Sequence, residues 1–248
     1  MTRFALVSAI FFLLYCSVTT AQSDHLIPDP RFASSPDDYE IHLTHIFRRI
    51  YTPRVVAKVI VIPAFEAEGA IGILKNDDSE GRITYTLIVI RLSSSLSKMH
   101  SEEISKINSM YEDIRKRFYY YEEHRTEIFE KLRSRAENEI STDICEKSID
   151  TDSAVKLIEI WRIALDQAAP REDNTRDGVA FYFSMEIEPN GILSGVTNYN
   201  INNDSAMNAL LRLVNSLTQS CDDDRIAIHD AIDLAARRLK AAKKSLTN

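Results

Sequence analysis

The sequence predicts an α+β fold: an antiparallel sheet of about five strands packed with helices, plus a long amphipathic helical insertion. Three observations carry this expectation. Apolar runs bounded by prolines and polar turns fall at 55–62, 70–74 and 82–91. A second strand pair is marked by strict alternation at 179–187, followed by Glu188-Pro189-Asn190-Gly191. Apolar residues then recur at spacings of three and four from Ile104 to Leu132, a span far beyond the usual ~11–12 residues of a helix.

The elements follow in order. Pro28, Pro30 and Pro36 make residues 22–38 an extended lead-in. Asp37 or Asp38 caps a helix to about Tyr51, with Ile41, Leu43, Ile46, Phe47 and Ile50 on its apolar side. Val55–Ile62 is an apolar run broken only by Lys58, as a central strand buried on both faces would be. The strand at 82–91 places Ile83, Tyr85, Leu87 and Val89 on one face, and Thr84, Thr86, Ile88 and Ile90 on the other.

The stretch from Ser93 to about Cys145 reads as helical. Its seam is Ile104, Ile107, Tyr111, Ile114, Phe118, Tyr121, Ile128 and Leu132, with Arg125 in the one gap. It either pairs with another helix or projects from the sheet as half of a hairpin, and two later helices offer themselves as its partner. One, at about 153–168, shows Val155, Ile158, Trp161 and Leu165. The other, at 224–244, shows Ile228, Ile232, Ala235, Leu239 and Ala242, with Asp222 to Asp224 before it and Lys240, Lys243 and Lys244 near its end, as the helix dipole favours. Between them, Asp204 or Ser205 caps a helix with Leu210, Leu213, Val214 and Leu217 inside.

The domain organisation follows: a signal peptide at 1–21, then one α+β domain at 22–248 with the helical insertion at about 98–148. Arg3, the apolar run from Phe4 and the small residues Thr19-Thr20-Ala21 have the layout of a cleaved secretory leader. The expected location is therefore secreted or periplasmic. The alternative is a membrane-anchored chain, because Phe4 to Ala21 approaches the minimum length of a span. Tyr15 before Cys16 argues against lipidation. After cleavage no membrane span is expected. Cys145 and Cys221 then remain, and an even pair in an oxidising compartment predicts one disulfide. The formal charge of -7 disfavours nucleic acid as a partner, since such binding rests on Lys and Arg meeting phosphates.

Chemistry-bearing patterns are few. Glu66 and Glu68, two apart in an extended chain, point to the same side and form a candidate acid/base pair. Solvation at a strand end would leave both unperturbed. His42 and His45 offer two metal ligands on one helix, but no third is marked and no metal is expected. Gly191-Ile192-Leu193-Ser194-Gly195 has the wrong spacing for a nucleophile elbow. Six glycines hold no P-loop or dinucleotide fingerprint, so no cofactor is expected. Tyr119 and Tyr120, in a run of three tyrosines, cannot all face the seam and are candidate interaction residues. Asn203-Asp204-Ser205 fits a glycosylation pattern.

Two segments resemble uncharacterised exported bacterial proteins with a strand, Pro-(Ser/Ala)-Phe and Glu-x-Glu. One is Val61-Ile62-Pro63-Ala64-Phe65-Glu66-Ala67-Glu68. The other joins Trp161 and Leu165 to Asp177-Gly178, Phe181-Tyr182-Phe183, Gly191, Ser194-Gly195 and Thr197. The resemblance spans about 40–90 and 150–218, implies fold and brings no assigned activity. The functional expectation is an exported, non-enzymatic protein-binding domain, of the inhibitor or immunity type, with an unknown protein partner or a dimer through the helical seam. The alternative is an envelope hydrolase using Glu66 and Glu68.

Overall fold

The computed structural model describes residues 26, 38–63, 66–77, 79–168, 179–187, 191–198, 205–222 and 228–246. The leader, the Asn203 pattern and most of the Glu188–Gly191 turn lie outside these residues. The described elements, in chain order, begin with α1 (Asp38–Ile46), a 3-10 turn (Arg48–Ile50), β1 (Val55–Ile62), β2 (Gly69–Asp77) and β3 (Ile83–Leu92). Next come α2 (Leu96–Met110), α3 (Ile114–Glu139), β4 (Thr142–Ile149) and α4 (Thr151–Asp166). Last are β5 (Ala180–Ile187), β6 (Gly191–Asn198), α5 (Ala206–Gln219) and α6 (Ile228–Leu246).

The α+β fold is as the sequence predicts. Its sheet has six strands in the order β4-β3-β2-β1-β5-β6, and every pairing is antiparallel. β1 lies inside the sheet and sends apolar residues to both faces. Ala57 and Val59 enter one core, and Val55 and Ile60 the other. The alternation of β3 sorts in the same way. Tyr85, Leu87 and Val89 face the first core, and Ile88 and Ile90 the second.

Helices α4, α5 and α6 cover the first face. Trp161 sits at its centre, edge-on to Phe183, and its indole N–H donates to the Lys58 carbonyl at 3.2 Å. The donor of a fully buried Trp is thereby satisfied. On α4 the inward residues are Ala154, Leu157, Ile160, Trp161 and Ala164, whereas Val155 is exposed. On α6, Ile232, Ala235 and Leu239 are buried as expected. Asp223 and Asp224, before this helix, lie outside the described residues. Asp222 accepts two hydrogen bonds from Arg91, at 2.7 and 2.9 Å.

The second face carries α1, the 3-10 turn and an α2–α3 hairpin. Leu43, Phe47 and Ile50 are buried there, while Ile41 is exposed. Gly72 allows the close approach of the turn, because a Cβ at that position would lie 2.9 Å from Ile50 Cγ2. The stretch predicted as one long helix is broken at Tyr111, where the backbone turns extended. Asp113 caps the next helix by accepting from Arg115 N. The seam therefore folds back on itself. Its partner is neither α4 nor α6, which pack on the opposite face of the sheet. The predicted insertion also ends early, because 142–149 is an edge strand. Thr142-Asp-Ile-Cys-Glu-Lys-Ser-Ile149 is exposed on most of its length and shows no apolar alternation.

The disulfide joins Cys145 of β4 to Cys221, just past α5, with Cα atoms 6.1 Å apart and a sequence separation of 76. Closing so long a loop contributes about 3–5 kcal/mol in the chain-entropy picture. It staples the edge strand to the helical layer where Arg91 also donates to the Thr218 carbonyl and Lys147 to the Ser220 carbonyl.

Candidate functional site

The strand–loop segment before β2 brings Glu66 and Glu68 to different surroundings. Glu66 is exposed, whereas Glu68 is 1% exposed. Strand geometry begins only at Gly69, so the two side chains do not share a side. The expectation of a solvated pair fails at Glu68 for a specific reason. Helix α2 starts with four backbone N–H groups that lack partners within the helix. Glu68 accepts Leu96 N–H at 2.8 Å and Ser97 N–H at 2.7 Å. Ser95, the N-cap, accepts Lys98 N–H at 3.1 Å. The hydroxyl of Tyr39 on α1 also donates to Glu68, at 2.9 Å. One carboxylate therefore fixes β2, α1 and α2 together.

The histidines separate in a similar way. His45 faces outward, 3.8 Å from Glu137. His42 is buried, stacks on Phe129 at a centroid distance of 4.2 Å, and lies 2.9 Å by its Nδ1 from Nε2 of His100. One of these two nitrogens carries the proton and the other accepts it. Among the described residues, His42 Nε2 is buried with no hydrogen-bond partner. Burial holds His42 below the usual histidine range. Among the described residues, no group of three or more His, Cys, Asp or Glu is placed to hold a metal ion.

Beside the His42–His100 contact, α1, α2 and α3 enclose a cleft of about 450 Å³. Its lining includes Asp38, Tyr39, His100, Ser101, Asn108 and Tyr121. Asp38 accepts from Tyr121 Oη at 2.8 Å and from Arg125 Nη2 at 2.9 Å. The Arg125 hydrogen bond holds the Asp38 carboxyl below the ordinary carboxylate range, so it stays ionised at neutral pH. Deeper in the hairpin, buried Glu103 takes Lys131 at 2.6 Å and Lys106 at 3.2 Å, and is likewise depressed, first by Lys131. These carboxylates are held by cations and helix caps, an arrangement suited to fixing helices and to binding polar groups.

The hairpin itself carries the other candidate surface. Ile114, Phe118, Tyr121, Arg125, Ile128, Leu132 and Ala136 lie on one face of α3 by their three-four spacing. At 26 residues, α3 is about 39 Å long. Toward its C-terminus this face is buried at Ile128, Leu132 and Ala136. At its N-terminal end the cover stops. Ile114 is 76% exposed, Phe118 62% and Tyr119 70%. Met110, at the end of α2, is exposed beside this turn. Tyr120, the other predicted interaction residue, is half-buried and stacks on His124.

The sequence left His100 and the Asp38–Arg125 pair unread. His100 carries no pattern that a single chain would reveal. Arg125 did carry one: a charge in an apolar stripe marks a buried or half-buried acid opposite. Among the described residues, no helix is long and apolar enough to cross a membrane. Comparison with known proteins returned no match: no family model, no curated relative and no solved structure.

Proposed function

We propose that this chain is an exported, non-enzymatic binding protein that engages a protein partner through the distal end of the α2–α3 hairpin. The observation that carries the reading is the apolar stripe of α3, which is core at Leu132 and bare at Ile114 and Phe118. An apolar surface at the end of a supported arm is a recognition surface in the helix-in-groove sense. Exposed Arg115 and Lys116 beside it favour a groove with an acidic rim. The Cys145–Cys221 disulfide and the leader-like N-terminus support an oxidising compartment.

The test pairs wild type with an Ile114→Asp/Phe118→Asp double variant in the native extracellular or envelope fraction. A stoichiometric partner that co-purifies with wild type and is lost from an equally stable variant supports the reading. Equal retention by both proteins overturns it. Sedimentation of the purified chain separates the two kinds of partner: a concentration-dependent dimer abolished by the same variant identifies a second copy.

A further inference from the structure

On the sheet face that carries the hairpin, cover is lost toward β5 and β6, where Glu186 and Ile192 are exposed. Lys58 of β1 points to this face between two neighbours of little bulk. Its register partners are Gly72 on β2 and Ser184 on β5. Small neighbours leave space, and a pocket of about 140 Å³ opens there, bounded by Tyr51, Val55, Lys58, Ser184, Glu186 and Ile192. The Lys58 ammonium lies 4.2 Å from the centroid of the Tyr51 ring. Among the described residues its ammonium makes no hydrogen bond or ion pair, and it lies over the Tyr51 ring face. A lysine on a sheet surface ordinarily reaches water or a carboxylate; this one is drawn down into a pocket instead.

We propose that Lys58 is a carbonyl-reactive amine and that its pocket is a covalent site for small aldehydes of up to about five heavy atoms. Nucleophilic amines need the uncharged form, which desolvation favours. Burial holds Lys58 below the usual lysine range, with the Glu186 charge opposing. The uncharged nitrogen attacks the carbonyl carbon, a C–N bond forms, and the C=O π pair moves to oxygen. Both nitrogen protons pass to that oxygen, which leaves as water, and a C=N bond remains. A proton from solvent then gives the iminium. The Glu186 carboxylate and the Tyr51 ring face both favour that cation. Val55 and Ile192 supply apolar walls for a short alkyl chain. The site lies apart from the hairpin, and its test is independent of partner binding.

The experiment treats the intact protein at pH 7 with propanal and cyanoborohydride, which traps the iminium as a secondary amine, and maps the labelled lysines by peptide mass. Exposed Lys98 and Lys116 serve as internal references. The expected result is labelling of Lys58 faster than either. This advantage should shrink as pH rises to 10 and vanish with an aldehyde too bulky for the pocket. Tyr51→Leu, which removes the ring but not the lysine, should alter the Lys58 rate alone. Labelling of Lys58 no faster than the references overturns the proposal. An advantage that persists with the bulky aldehyde also overturns it, because the pocket would then select nothing.

Discussion

Glu68 accepts the backbone N–H of Leu96 at 2.8 Å from a position almost wholly shielded from water. A side chain one residue before β2 thus caps a helix 28 residues later. A carboxylate used in this way is set by the structure of α2, and it is not available to pair with Glu66. Glu68→Ala should therefore destabilise the protein by about 2 kcal/mol or more, since it leaves the N–H groups of Leu96 and Ser97 without their acceptor. Glu66→Ala should stay within about 0.5 kcal/mol. Urea denaturation of the two variants checks both values, and equal effects would remove the distinction.

The hairpin stripe yields a prediction of opposite sign along one helix. Leu132→Ala, at the buried end, should cost about 2–4 kcal/mol. Ile114→Asp and Phe118→Asp, at the bare end, should leave the melting temperature nearly unchanged, because no burial is lost. From spacing alone the reverse is expected for Ile114 and Phe118. Periodicity reports which residues share a face, and the partner that covers the face is a tertiary fact.

The disulfide should matter to the whole domain. Reduction of Cys145–Cys221 is expected to lower stability by about 3–5 kcal/mol, as loop closure over its sequence separation implies. Denaturation with and without a reductant measures this. Intact mass after alkylation should show no free thiol at either position in the native protein.

Acidification should loosen the second face in two stages. His42 lies below its ordinary value because burial disfavours its cation. Its contribution is complete above the unfolded value of about 6.5 and is lost as pH falls toward the folded value. Asp38 and Glu103 are depressed carboxylates, the first mainly by Arg125 and the second mainly by Lys131. Their contributions are present above about pH 4 and are lost as pH falls through the folded values. Thermal melts from pH 8 to pH 3 should show both stages. His42→Asn should remove the first and keep the second.

Much of the architecture was legible in the sequence because one physical rule governed it. β1, β3 and β5 alternate or run apolar according to how many faces they bury, and Phe181, Phe183, Leu87 and Val89 all lie where that rule puts them. Ser205, read as a helix cap, accepts from Asn208 N–H. β4 was illegible because an edge strand held by a disulfide and by pairing to β3 has no need of an apolar face. The break at Tyr111–Asp113 was hidden because the three-four spacing continues across it without a glycine or proline. The candidate sites were harder to read. Glu68 stood out as an acid, but its role depends on α2 arriving from elsewhere. His42 was visible as one of a helical pair, whereas its actual partner, His100, lies 58 residues away.

Site-specific photocrosslinking tests the binding account most directly. A benzoyl-phenylalanine introduced at Phe118 reports what touches the bare end of α3, and one at exposed Lys98 serves as the control on α2. Illumination in the native extracellular or envelope fraction should give one dominant adduct from position 118 and none of that mass from position 98. No adduct at 118, or the same adducts from both positions, would contradict the assignment of the hairpin end as the recognition surface.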